Sequence, residues 1–529
     1  LLDDAVAAFL NSVSERDFDE PLIALLRAEG YTNVRLVHGQ VEAGKDVIAQ
    51  RDGEQWVLQS KAGNLNHTEF RRVREQLYDL RSSDISAPGF DKDLPRRAVL
   101  VQTGRMTGQA PMHAQEYERQ CVERNETPIE FWNKDTLLAR LSGNPDAVLR
   151  GSMDGQLLGL IGAIDERKAD MDAIETYSRR WTSWEPSRFA GLGIVEASLL
   201  CERLKASGRL DLACQVALCA VRGAWAAGAA DPHDATTVAG ADAAGRLFET
   251  YGRQVWAECD DRLLQEFGLA SYSGFSAWVS YQIRCLRIAE IVSLLALRAR
   301  PDDPGLAVEI ANWLARFAEA QPGIARPIGD RYAVSVVPVA ALLLADHRDT
   351  VEALLRKMTV WVCERYEKDE LGLAAVDAGA FEEVGRVVAG PFDVGLSPRQ
   401  QSQVASVLLD VAATLDLHAV YADVRNDTLA VNLYPSVLLI ADGADHLSRE
   451  GRENRWDFNP DYAETINGTA PAAPHLGDGP ELIVPDERWW DALATSATLR
   501  DRHFPAAIRA AGAAGTGDHR AKPAGGDSL

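Results

Sequence analysis

The sequence predicts two parts: an α/β domain of about 140 residues, close to the usual domain size, followed by a large all-α domain. Three observations carry this. Residues 44–61 read as a β-hairpin, with extended runs at 46–51 and 54–61 on either side of Asp52-Gly53. That pair readily takes the positive-φ conformations of a two-residue type I′ turn. Around the hairpin, short apolar strands alternate with amphipathic helices, and beyond about residue 153 long helices rich in Ala, Leu and Val replace the alternation.

The first predicted helix covers residues 2–13, with Val6, Phe9 and Leu10 on one side. A second covers 18–29 and stops at Gly30, which suits the C′ position. Its apolar stripe is Phe18, Leu22 and Leu25, and Asp17 and Glu20 stand in the Asp-x-x-Glu spacing of a capping box. A strand at 31–37 leads to the hairpin. A two-residue turn sets Arg51 opposite Glu54 and therefore Asp46 opposite Gln59. Side chains alternate with a period of two, so Lys61 shares the face of Asp46 and Gln59. Val47, Ala49, Trp56 and Leu58 share the other face, the one expected to be buried, which leaves the first face open.

Asn66 and Glu69 mark the start of the next helix, whose apolar stripe is Phe70, Val73, Leu77 and Leu80. Arg71, Arg74, Tyr78 and Arg81 repeat along its flank. A strand at 96–102, a helix at 111–124, a strand at 129–132 and a helix at 135–141 capped by Asn133 complete the order α-α-β-β-β-α-β-α-β-α. The expected domains are 1–142, a helical domain at 153–442, an irregular segment at 443–510 with one helix near 489–499, and a disordered polar tail at 511–529. The helices at 195–206, 211–227, 277–299, 305–319, 331–346 and 398–415 show no repeat of fixed period, so a bundle or irregular solenoid is expected.

The formal net charge is −23. Residues 1–142 hold 18 Lys+Arg and 23 Asp+Glu, a net of −5, which leaves −18 for the rest. The acidity therefore lies mostly in the helical part, a poor candidate for a DNA clamp. The longest apolar stretch, 333–345, is interrupted by Pro338 and too short to span a bilayer, so no membrane segment is expected. No secretory leader is expected either. Seven scattered cysteines form neither a disulfide framework nor a zinc motif, which fits a reducing cytoplasm.

Glu20 on a helix, then Gly-Lys-Asp-Val-Ile-Ala around Asp46, then Gln59-Ser60-Lys61 resembles the PD-(D/E)xK nuclease superfamily. Within it the pattern is similar to the Mrr-type restriction endonucleases, a branch that often has Gln in place of the acid before x-Lys. Val-Leu-Val-Gln-Thr-Gly at 99–104 and Ile-Glu-Phe-Trp at 129–132 resemble that family's closing half. The resemblance covers residues 14–141, and the chain departs from it in the less Gly-rich loop 42–45 before Asp46. It implies a restriction-endonuclease-like α/β fold and a Mg²⁺-dependent endonuclease acting on DNA, in restriction or antiphage defence.

On that reading Asp46 is a hard oxygen ligand for Mg²⁺. Gln59 offers a neutral carbonyl oxygen, and Glu20 supplies the missing negative charge directly or through water. Lys61 orients the attacking water or stabilises the developing charge. Each also has a plainer reading: Glu20 as a cap, Asp46 as a strand-start turn residue, Lys61 as a solvated strand end. Arg71, Arg74 and Arg81 are either phosphate contacts or one solvated helix face. His67 and His113 are assisting groups or incidental, and Trp181 and Trp184 read as core packing. The rival from another class is a catalytically inactive nucleic-acid-binding domain on a helical protein-interaction scaffold. Gln59 and the acidic balance favour it; Asp46 and Lys61 together oppose it. The helical domain is expected to restrain the nuclease or to read a protein or small-ligand partner, with residues 142–153 as the joint. Homo-oligomerisation is left open.

Overall fold

The computed structural model describes residues 2–37, 45–127, 129–150, 155–228, 231–271, 277–367, 370–388, 395–439, 455–458, 488–501 and 503–515. The loop before Asp46 lies outside them, apart from Lys45. The ten predicted elements of the first domain are all present. They are α1 (Leu2–Ser12), α2 (Glu15–Ala28), β1 (Thr32–Leu36), β2 (Val47–Arg51), β3 (Glu54–Lys61), α3 (His67–Ser82), β4 (Arg96–Gln102), α4 (Ala110–Glu123), β5 (Ile129–Trp132) and α5 (Lys134–Ser142). They build a five-stranded sheet in the order β1-β2-β3-β4-β5. β1, β2 and β3 pair antiparallel, while β3–β4 and β4–β5 are parallel.

Local chemistry explains the parts that matter for function. Asp52 and Gly53 both have positive φ, 53° and 76°, so the tight turn forms and Arg51 pairs with Glu54 and Val47 with Leu58. α3 opens with a complete capping box: Asn66 accepts from the backbone of Thr68 and Glu69, and Glu69 accepts from the Asn66 N–H. Asn133 caps α5.

The expectation of one buried and one open hairpin face is corrected. Ile48 and Val57 pack with Ala98 and Leu100 against Phe70, Val73, Leu77 and Leu80 of α3 and Ala110, Ala114 and Tyr117 of α4. Val47, Ala49 and Leu58, on the opposite face, are buried as well, and α2 lies against β1, β2 and β3. A sheet whose central strands are joined by helical crossovers is covered on both sides, so Gln59 is 4% exposed instead of open to solvent.

The chain divides into two compact units, residues 1–208 with 223–246, and residues 209–222 with 247–529. In the first, the expected joint at 142–153 is partly a helix, α6 (Pro145–Leu149), with Ala147, Val148 and Leu149 buried. It packs on α2 and on the helix Ile194–Ala206. Gly191 lies so close to α1 that a Cβ there would sit 2.8 Å from Ser12 Oγ and 3.2 Å from Phe9 Cα. Trp181 is fully buried and donates to Glu196 Oε2 at 2.9 Å, so it is core.

In the second unit Ala277–Ala299 packs against Pro304–Ala320, Val336–Leu343 and Trp489–Leu499. At its centre Glu290 accepts from Arg500 at 2.8 Å and from Arg287 and Ser335. Burial alone would raise the Glu290 pKa, but the two guanidiniums hold it below the ordinary value. Several expectations fail here. The helix at 331–346 is a 3₁₀ turn, Asp330–Ser335, followed by Val336–Leu343, because Pro338 fits only a first helical turn. The helix at 398–415 begins at Gln403, capped by Ser402. Tyr434–Leu439 is a strand paired with Arg455–Phe458. It falls inside the stretch 153–442 expected to be helical, and a short apolar run reads equally as strand or helix. A last helix, Pro505–Gly515, makes the first residues of the expected tail ordered structure. Leu210–Ala227 is apolar enough by composition to cross a membrane, but 78% of it is buried inside the protein.

Candidate active site

The hairpin brings Asp46, Gln59 and Lys61 to one end of the sheet. Asp46 immediately precedes β2, with its backbone held by Asp46 N–H to Leu58 O at 2.9 Å and Val37 N–H to Asp46 O at 2.8 Å. Its carboxylate Oδ2 accepts from Gln59 Nε2 at 2.6 Å, from the Ser60 backbone N–H at 2.7 Å and from Ser60 Oγ at 3.3 Å. Burial pushes its pKa up from 3.8 to about 6, against the Ser60 N–H and the Lys61 ammonium, which favour the charged form, while Glu15 adds to the rise. Lys61 donates to Glu15 Oε1 at 2.9 Å, and its side chain is 20% exposed.

Glu15 is a residue that sequence reasoning missed, and it stands where Glu20 was expected. α2 starts at Glu15, capped by Ser14, which accepts from Asp17 N–H and donates to Asp17 Oδ2 at 2.6 Å. The capping box assigned to Asp17 and Glu20 is therefore not formed. Five residues carry a side chain about 140° around a helix, so Glu20 is turned to solvent, exposed. Asp19, four residues on from Glu15, returns to within about 40° of it and is 6% exposed. The signal was present in Ser14, which caps as well as Asp17 would and starts the helix three residues earlier, so that Glu15 falls on it.

The basic stripe of α3 separates into two kinds of arginine. Arg71 and Arg74 are exposed, with Arg74 stacked over Tyr117 at 5.3 Å. Arg81 is 8% exposed, pairs with Glu126 at 2.6 Å and donates to Cys121 Sγ at 2.7 Å. It is a packing residue and is withdrawn from the DNA-facing set, because the last turn of α3 lies against α4. Arg72 is exposed between Arg71 and Arg74. His67 and His113 come together across α3 and α4, their rings stacked at 4.4 Å.

The donor set around Asp46 suits a hard divalent ion with an open shell. Among the described residues no group of three or more His, Cys, Asp or Glu is placed to hold a metal. Mg²⁺ is bound by one or two carboxylates and completed by water and substrate phosphate. Asp46 meets that need. Gln59 adds a neutral oxygen once its amide turns over, exchanging Nε2 for Oε1.

No curated protein and no solved structure matches the chain. Residues 10–141 match the family model Mrr_cat, a restriction endonuclease. The N-terminal part of this chain is accordingly a restriction endonuclease domain of the Mrr type, spanning residues 10–141.

Proposed function

We propose that residues 1–142 form a Mg²⁺-dependent endodeoxyribonuclease, acting in restriction or antiphage defence in the cytoplasm. The convergence of Asp46, Gln59 and Lys61 at one end of β2 and β3 is the observation that carries this. Asp46 and Gln59 Oε1 would hold the ion, with negative charge added by the α2 face that bears Glu15 and Asp19. Bound there, Mg²⁺ would neutralise phosphate charge and lower the pKa of water. Lys61 donates to the attacking water, and Glu15 fixes the lysine's position. The water oxygen forms a new P–O bond as one ester P–O bond breaks. The departing oxygen takes up a proton, and the water's proton passes to solvent.

The test is cleavage of plasmid and phage DNA by the full chain, with Mg²⁺ or with chelator. Absence of metal-dependent cleavage on every substrate would leave the binding-only alternative, which the neutral Gln59 favours. Gln59→Glu restores the commoner carboxylate and should tighten Mg²⁺ binding, measured by calorimetry on the metal-free protein. Unchanged metal affinity there would place Gln59 away from the ion.

DNA affinity should depend on Arg71 and Arg74. Each phosphate neutralised contributes about 0.9 to the log–log salt slope. Replacing both arginines by Gln should flatten that slope by roughly one to two units in chelator. Arg81→Gln should leave the slope alone and instead cost about 1–3 kcal/mol of stability, since it strands buried partners. An Arg81 variant that flattens the slope would restore it to the DNA surface. The helical remainder, acidic in sum, is proposed to restrain the nuclease or to answer a protein or small-ligand cue.

A further inference from the structure

Gln102 ends β4 directly across the sheet from Lys61. The two are register partners in the parallel β3–β4 pair, so their side chains leave the same face, from backbones about 4.8 Å apart. Gln102 is 1% exposed. Its amide nitrogen is accounted for: Nε2 donates to the Gly63 carbonyl at 3.2 Å, holding the loop just beyond the lysine. That loop is also held without Gln102. Gly63 N–H donates to Thr103 Oγ1 at 2.9 Å, and Gly104 fits so closely that a Cβ would lie 2.3 Å from the Gly63 carbonyl carbon.

The amide oxygen is another matter. Among the described residues, Gln102 Oε1 is buried with no hydrogen-bond partner. Leaving a buried acceptor unpaired costs about 1–3 kcal/mol, and such groups are few in folded proteins. Its place beside the lysine supplies a reason for it.

We propose that Gln102 is a water-orienting residue of the nuclease site, its Oε1 accepting a hydrogen bond from the water that attacks the phosphodiester. This rests on the nuclease reading above. An ammonium has donors only. Lys61 can therefore hold one lone pair of that water but cannot set where its O–H bonds point. A carbonyl oxygen beside it takes one O–H and so turns the remaining lone pair toward phosphorus, an alignment that strongly affects rate. A neutral amide takes no proton, so Gln102 changes no step of the bond exchange. Water oxygen still forms the P–O bond, one ester bond still breaks, and the protons pass to and from solvent.

The experiment uses the full chain and plasmid DNA. Single-turnover cleavage in Mg²⁺, DNA affinity in chelator and the thermal midpoint are measured for the parent, Gln102→Leu, Gln102→Glu and Asp46→Asn. Gln102→Leu keeps the volume and removes the acceptor. It should slow cleavage by about 10–100-fold with metal-free DNA affinity unchanged, and relief of the unpaired acceptor and loss of the Gly63 bond should roughly offset each other in the midpoint. Gln102→Glu keeps acceptor oxygens and loses the donor to Gly63, so it should cleave within a few-fold of the parent. The assignment is overturned if Gln102→Leu cleaves like the parent while Asp46→Asn does not. It is equally overturned if Gln102→Glu is as slow as Gln102→Leu, because loop anchoring would then be the whole role. A parent no faster than Asp46→Asn removes the nuclease reading itself and this assignment with it.

Discussion

Asp46→Asn is expected to slow Mg²⁺-dependent cleavage by on the order of 10³-fold, about 4 kcal/mol of barrier, and to raise the thermal midpoint of the metal-free protein at pH 8. The two effects have one cause. Asp46 is largely removed from water, and burial lifts its pKa from 3.8 to about 6. The folded state therefore holds this proton more tightly than the unfolded chain does. Stability from this group is full below about pH 4 and is lost as pH rises through about 6. Two units correspond to up to about 3 kcal/mol. Asn keeps an oxygen for the Gln59 and Ser60 donors but carries no charge, so it avoids that loss along with the metal's ligand. Thermal melts of parent and variant from pH 5 to 8 check this. The gap between them should widen with pH, and parallel curves would mean that Asp46 ionises without penalty.

Lys61→Met should slow cleavage by about 10²–10³-fold, as expected when a group acting on developing charge is lost, with little change in metal-free DNA binding. Met retains the aliphatic stem, so packing around β3 is kept. If the lysine only made an ion pair with Glu15, the expected cost would be about 0–1 kcal/mol of stability, with no change in rate. Single-turnover cleavage and a thermal melt on the same preparation separate the two cases. Near-parental cleavage by Lys61→Met would remove the lysine from the chemistry.

What the sequence determined by itself was whatever rests on neighbouring residues. Asp52-Gly53 dictates the turn, and the turn dictates the register from Arg51–Glu54 to Val47–Leu58. Asp46 itself leaves the expected pairing, its N–H bonding to Leu58 O, and it meets Gln59 through its side chain. Asn66 with Glu69, and Asn133, set the starts of α3 and α5, and the periods of 2 and 3.6 separate strands from helices. The match to a restriction endonuclease domain over residues 10–141 agrees with that string of elements.

What only the tertiary structure decided depends on which face of an element meets another. Starting α2 just after Ser14 lengthens it by about one turn and puts Glu15 on it beside Lys61, while Glu20, about 140° round the helix from Glu15, is exposed. Arg81 reads as part of one basic stripe until α4 buries it against Cys121 and Glu126. Gln102 reads as an ordinary strand end until parallel pairing puts it beside Lys61. The joint expected at 142–153 includes a helix packed on α2. In each case the deciding partner lies far away in sequence. Hydrophobic burial and the satisfaction of buried polar groups select that partner, and neither can be read from a local window.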